Sequence, residues 1–220
     1  MLRQLLALGS ALLVTASLTA QSEDFGKWIA LFNGKDLTGW QHAKHGPGQN
    51  PPNNWAAVDA TLTNRKQGGA GNDICTVEEF DDYELEVEYK IPPEGNSGVY
   101  LRGQIEIQIY DSHWKIAAKK KLESVDAGAI YGGSFVALKN AQKEPGTWNK
   151  YRVLHVGHRI TVWHNDVLIQ DNIFQDNKTG GAMGHYPGTD RKLTKDRGPL
   201  MLQGDHTEVS YRNIRIRPLF

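Results

Sequence analysis

Residues 83–91 alternate with a period of two, and this alternation limits the folds open to the chain more than any other feature. Leu85, Val87, Tyr89 and Ile91 fall on one side; Glu84, Glu86, Glu88 and Lys90 fall on the other. A pleated strand sends successive side chains to opposite faces, whereas a helix would need apolar residues every three to four positions. The pattern recurs. Val99 and Leu101 alternate with Tyr100 and Arg102, and Ile105, Ile107 and Ile109 alternate with Gln104, Glu106, Gln108 and Tyr110. Residues 151–156 and 159–164 read as two strands around Gly157-His158, and Asn165-Asp166 turns the chain into a further strand at 167–170. Residues 199–203 and 209–218 supply two more. Many short strands joined by Gly- and Asn-containing turns predict an all-β sandwich or jelly roll of antiparallel sheets.

Three segments break the pattern. Residues 41–54 (QHAKHGPGQNPPNN) read as a loop. Residues 112–124 have room for a short helix ending in the solvated run Lys119-Lys120-Lys121. Residues 175–198 form a long Gly-rich stretch carrying Asp190, Arg191, Lys192, Lys195, Asp196 and Arg197, a length that is usually functional or mobile.

The start of the chain has a different character. Met1 and Arg3 precede an apolar run at residues 5–18, and small residues follow at Thr19, Ala20 and Ser22. This reads as a signal peptide over residues 1–22, cleaved after Ala20 or Ser22, with an uncleaved anchor as the alternative. Residues 23–220 are then one exported domain, periplasmic or secreted, with no membrane association after cleavage. The lone cysteine, Cys75, leaves no intrachain disulfide framework and no Cys-based zinc site, and its strand-like neighbours Ile74 and Thr76 predict core packing. Lys plus Arg and Asp plus Glu both number 25, so the chain lacks the basic excess of a nucleic-acid binder. A mean hydropathy of −0.52 with one long apolar run excludes a multi-span membrane protein.

If Ile105, Ile107 and Ile109 face the core, Gln104, Glu106, Gln108 and Tyr110 share the opposite face, and a bulge would bring Asp111 to it. Leu200 and Leu202 likewise leave Met201, Gln203 and Asp205 outward, with His206 next. Carboxylates and amides of this kind suit a hydroxyl-rich ligand; a plain hydrated sheet surface is the alternative. Trp40, Trp55 and Trp148 are candidates for stacking on a sugar ring or for core positions, and Tyr131 and Asn140 are candidates to line the cleft. Trp163 reads as structural or interfacial, and His42 and His45 as solvated. His155, His158 and His164 show no ligand spacing.

The run Glu106-Ile107-Gln108-Ile109-Tyr110-Asp111 resembles the E-x-D-x-x-E motif of laminarinase-like glycoside hydrolases, whose first Glu is the nucleophile and last the acid/base. Here Gln108 replaces the middle acid and the shorter Asp111 stands last. That departs from the two well-spaced carboxyls of retaining hydrolysis.

A wider resemblance covers residues 25–220. Leu31-Phe32-Asn33-Gly34-Lys35-Asp36-Leu37-Thr38-Gly39-Trp40 is similar to the opening motif of the 3-keto-disaccharide hydrolase domain family. Matches follow in order at Asp82-Tyr83-Glu84-Leu85, Gly95-Asn96-Ser97-Gly98-Val99-Tyr100-Leu101-Arg102 and Glu106-Ile107-Gln108-Ile109. Further matches are Gly128-Ala129-Ile130-Tyr131-Gly132, Gly146-Thr147-Trp148-Asn149, Val162-Trp163-His164-Asn165-Asp166-Val167, Leu202-Gln203-Gly204-Asp205-His206 and the closing run at 212–219.

The resemblance implies a concanavalin A-like jelly roll, usually exported, acting on glycosides oxidised to a ketone at C3. Such chemistry needs a base for the C2 hydrogen, stabilisation of the enolate oxygen and a proton for the leaving group. Glu106 is the first candidate base and His206 the second. Arg102 or a divalent metal ion is the candidate for the oxyanion, and Asp111 or His206 for the leaving group. Asp205 and His206 with Glu106 and Asp111 are the candidate ligands of that ion. Asn96 and Ser97, in an expected turn, join Gln104, Gln108, Tyr131, Asn140, Trp148, Gln203 and Asp205 as candidate substrate contacts. A noncatalytic carbohydrate-binding module on the same fold is the alternative function.

Overall fold

In the computed structural model, Ile105, Ile107 and Ile109 are almost fully buried, and their side chains help to fix the register of the sandwich. Burying each such side chain contributes roughly 1.5–3 kcal/mol. A one-residue slip would put Glu106 and Gln108 into the core instead, a double penalty in lost burial and desolvated polar groups.

The structure describes residues 25–44, 48–65, 72–131, 133, 135–176 and 196–220. The expected signal peptide, His45 and most of the charged stretch at 175–198 lie outside the described residues.

Thirteen strands and one short helix are described, in this order: β1 (Ile29–Ala30), β2 (Trp40–His42), β3 (Trp55–Val58), β4 (Thr61–Asn64), β5 (Ile74–Phe80), β6 (Tyr83–Lys90), β7 (Asn96–Leu101), β8 (Ile105–Tyr110), α1 (Trp114–Ala117), β9 (Asn149–Val156), β10 (Arg159–His164), β11 (Val167–Phe174), β12 (Gly198–Leu202) and β13 (Val209–Pro218). They form two antiparallel sheets in a jelly-roll sandwich. The larger runs β11-β10-β9-β6-β13-β4-β3, with β1 added against β13. The smaller runs β2-β5-β12-β7-β8.

Alternation dictates what each face carries. The larger sheet turns Leu85, Val87, Tyr89, Tyr151, Val153 and Tyr211 inward; the smaller turns Val99, Leu101, Leu200, Leu202 and the β8 isoleucines to meet them. On the outer face of the larger sheet, Glu84, Glu86 and Glu88 of β6 pair with Arg217, Arg215 and Arg212 of β13. These acids are thus taken up by their cross-strand neighbours.

The loop expected at residues 41–54 begins later than its composition suggests, because Gln41 and His42 pair with Cys75 and Ile74 as part of β2. The turn expected at Asn96-Ser97-Gly98 is instead the start of β7, with Asn96 opposite Tyr110. The sequence also carried little sign of β1, β3 and β4, which are short and lack clear alternation.

Candidate functional site

The outer face of the smaller sheet holds a hollow of about 240 Å³ lined by Asn96, Tyr100, Glu106, Gln108, Tyr131, Gln203, Asp205 and His206. Larger depressions exist, including one of about 570 Å³ beside Glu86, Glu88 and Arg215, but its acids are already paired with arginines.

Four segments build the hollow. β7 and β8 are hydrogen-bonded in a register that puts Tyr100 opposite Glu106 and Gly98 opposite Gln108. The third is the end of β12, where Gln203 N–H donates to the Gly98 carbonyl at 3.0 Å. A fourth stretch closes the free edge of β8: Tyr131 N–H donates to the Glu106 carbonyl at 3.0 Å, and Gln108 N–H to the Ala129 carbonyl at 2.9 Å. Tyr131 thereby comes to rest beside Glu106.

Glu106 is 1% exposed, at the floor of the hollow. Its carboxyl occupies the space over Gly98, where a Cβ would stand 2.1 Å from Oε1. Burial raises the proton affinity of this carboxyl most strongly, and the nearby Asp73 and Asp205 add to it. A hydrogen bond from Tyr100 works in the opposite direction, and the pKa rises to about 8. A carboxyl held near neutrality exchanges a proton readily at working pH.

The rim is polar. His206 is half exposed, with Nε2 3.6 Å from Asp205 Oδ1. Gln203 Nε2 donates to the Tyr100 hydroxyl at 3.0 Å. Gln108 Nε2 donates to the Val125 carbonyl at 3.3 Å, and among the described residues the other N–H of that amide meets no acceptor. Three buried oxygens of the lining, Asn96 Oδ1, Gln203 Oε1 and Asp205 Oδ1, have no hydrogen-bond partner among the described residues. Unmet buried acceptors are costly, and sugar hydroxyls are donors that satisfy them.

The remaining candidates are used elsewhere. Arg102, at the end of β7, donates to Asp82 Oδ1 at 2.8 Å, the Gly157 carbonyl at 2.9 Å and the Asp81 carbonyl at 3.1 Å. Its φ of 52° breaks the alternation that would have put it on the Tyr100 face. Asp111 lies past the end of β8, where Oδ2 accepts the Glu94 N–H at 2.9 Å. No bulge in the β7–β8 pairing turns it to the hollow.

Ser97 follows the inward period of Val99 and Leu101, and its Oγ bonds the Gln203 carbonyl and the Tyr211 hydroxyl. Asn140 donates to the Ser112 carbonyl and accepts from Gln142 N–H. Gln104 is buried at the β7–β8 connection, outside the lining.

The tryptophans are also committed. Trp40 donates to the Leu31 carbonyl, and Trp55 donates to the Asn72 carbonyl and stacks on Tyr211. Trp148 lies under Arg212 on the larger sheet, at 4.1 Å. The candidate metal set does not assemble either, since Asp111 is held at the Glu94 amide. Among the described residues, no group of three or more His, Cys, Asp or Glu is placed to hold a metal ion.

Sequence reasoning passed over Tyr100 and Gly98. Tyr100 carries the outward phase of β7 but looked like one strand aromatic among many, and the space above a glycine leaves no mark in a sequence.

A buried acid in a polar hollow on the outer face of a jelly roll has the form of a carbohydrate-active protein. The chain belongs to the 3-keto-alpha-glucoside-1,2-lyase-like domain family, whose model matches residues 27–217. It is 25% identical over 240 residues to a 3-keto-disaccharide hydrolase of Bacteroides thetaiotaomicron, covering 89% of this chain and 80% of that one. Two solved structures of proposed glycosyl hydrolases from Parabacteroides distasonis share 28% identity with it. One has a TM-score of 0.67 over 87% of this chain and 84% of that one. The other has a TM-score of 0.65 over 88% of this chain and all (100%) of its own.

Proposed function

We propose that the protein is an exported enzyme that cleaves the glycosidic bond of 3-keto-glycosides by elimination and hydration. The observation that carries this reading is the Glu106 carboxyl, buried beneath a polar hollow and held near a neutral pKa of about 8. The family match and the name of the Bacteroides relative support the substrate class. The apolar run at residues 5–18 supports export.

In this mechanism the ionised Glu106 removes the C2 hydrogen, which the adjacent C3 ketone acidifies. The electron pair forms an enolate, whose oxygen accepts from the free N–H of Gln108 and from the Tyr131 hydroxyl. Collapse of the enolate restores the C3 carbonyl, forms the C1–C2 double bond and expels the glycosidic oxygen from C1. His206, at the open rim beside Asp205, protonates that oxygen. Water then adds at C1 and gives its proton back to His206, while Glu106, whose proton exchanges with solvent through the open hollow once the aglycone has left, returns a proton to C2, so the net change is hydrolysis. The unmet acceptors on Asn96, Gln203 and Asp205 take sugar hydroxyls. Asp111 lies outside the lining, so the paired acids that retaining hydrolysis requires are not drawn from Glu106 and Asp111.

The test is a chromogenic 3-keto-glucoside set beside its unoxidised parent. Release from the keto sugar alone is expected. Release from the parent glucoside points to an ordinary glycosidase, and binding without release to a carbohydrate-binding module.

A further inference from the structure

We propose that Tyr100 is the positioning residue of this site: its hydroxyl, held by the Gln203 amide, orients the Glu106 carboxylate and stabilises its ionised form. The inference rests on the reading of Glu106 as the group that transfers the proton.

Tyr100 is the direct cross-strand partner of Glu106, on the same face of the smaller sheet. Its ring is fully buried and packs in a cluster with Ala43, Cys75 and Met201, so the hydroxyl has little freedom to swing away. The direction of the hydrogen bonds follows from counting protons. The Gln203 Nε2 group can only donate, and it lies 3.0 Å from the Tyr100 oxygen. Tyr100 therefore accepts from Gln203, and the Glu106 carboxyl that faces it across the strand pair lines the same hollow and has its charged form favoured by this hydroxyl. Accepting one bond strengthens the bond donated onward. Burial holds the phenol far above its ordinary range, so it remains a donor across the working pH.

The donor to Tyr100 is itself anchored. The Gln203 carbonyl accepts from Ser97 Oγ at 2.9 Å. The next residue, Gly204, gives its N–H to Asp73 Oδ1 at 2.9 Å, and its carbonyl accepts from Asn64 Nδ2 at 3.0 Å. A Cβ on Gly204 would stand 2.4 Å from the Asn72 carbonyl oxygen, so the chain passes where only glycine fits.

Among the described residues, the charged and titratable groups that bear on Glu106 oppose its charge or line the hollow. Asp73 ahead of β5 and Asp205 after β12 oppose the anion, as burial does. Tyr211 of β13 is close enough for Glu106 to raise its own proton affinity. His206 and Tyr131 line the rim. Tyr100 is thus the neutral donor set against burial and two acids.

The experiment is a titration of the Glu106 carboxyl by NMR, on protein carrying 13Cδ-glutamate, with the resonance assigned through Glu106→Gln. Tyr100→Phe keeps the ring and removes the hydroxyl. The expected result is an upward shift of the midpoint by about 1–2 pH units, the size of a lost hydrogen bond to a charged group. Turnover of the 3-keto-glucoside at neutral pH then falls roughly 10- to 100-fold and recovers at alkaline pH, which simple disruption of the fold would not produce. Gln203→Met, which leaves Tyr100 in place, shifts the midpoint in the same direction by less, and it decides the question if Tyr100→Phe does not fold. An unchanged or lowered midpoint in the folded variants overturns the proposal. Failure of the wild type to act on the keto sugar overturns the functional reading instead, while the titration still judges Tyr100.

Discussion

Gly98 and Glu106 share one volume: the carboxyl of Glu106 lies where a side chain on Gly98 would be, 2.1 Å from an ideal Cβ. The two residues sit on neighbouring strands, and the absence of one side chain makes room for the other's carboxyl over the Gly98 backbone.

Gly98→Ala is therefore expected to displace the Glu106 carboxyl without unfolding the protein. The atoms in conflict are the far end of a flexible side chain, and the φ of Gly98 lies outside the left-handed range, so alanine is sterically acceptable to the backbone. The expected outcome is a loss of kcat/KM on a 3-keto-glucoside of about 100-fold or more, since misplacement by about 1 Å costs that much. The thermal midpoint should stay close to wild type, as read by circular dichroism.

Glu106→Gln is expected to stabilise the fold while it removes activity. Burial first, then Asp73 and Asp205, raise the folded carboxyl to about 8 from its ordinary 4.5, even against the Tyr100 hydrogen bond. Between those values the folded state binds more protons than the unfolded state, so wild-type stability declines as pH rises through that window. The glutamine variant has no such proton to lose. Its advantage over wild type should widen from pH 4.5 to about 8 and level off above, as measured by denaturant titration across pH.

Arg102→Met is expected to act on stability rather than on the reaction. The guanidinium joins the end of β7 to Asp82 and to the Asp81 and Gly157 carbonyls; removing it takes the donor from both carbonyls, while Asp82 keeps the Gly157 N–H. Losing the hydrogen bonds of this buried guanidinium, whose acid partner is partly exposed, costs about 2 kcal/mol. The folded fraction should keep its kcat, and a loss of kcat without a loss of stability would return Arg102 to the site.

Asp111→Asn should be nearly silent. An amide oxygen can accept the Glu94 N–H as the carboxylate does, and Asp111 does not line the hollow. Turnover within about threefold of wild type is expected, since an isosteric change outside the lining that keeps the Glu94 hydrogen bond disturbs the site by no more than about 0.5 kcal/mol.

These outcomes divide along what the sequence made legible. The isoleucine period of β8 and the leucines of β12 put Glu106, Gln108 and Gln203 on one outer face, because a two-residue repeat has only one way to bury its apolar half. The ordered motifs carried the family. What the period could not carry was its own end. Arg102 would share the Tyr100 face had the strand continued, but its positive φ turns the chain one residue earlier. Asp111 fails for the same reason at Tyr110, where β8 stops. Ser97 follows the period inward and so belongs to the core side. Tyr100 and Gly98 matter through contacts across strands, and cross-strand register appears only when the sheet is assembled.

The central claim is that Glu106 removes the C2 hydrogen, and the isotope content of the product tests it most directly. Turnover is run in D2O, and the released 3-keto sugar is examined by NMR at early times beside an enzyme-free control. The account predicts deuterium at C2 with the wild type and neither release nor incorporation with Glu106→Gln. A product from the wild type that keeps its original hydrogen at C2 would contradict it.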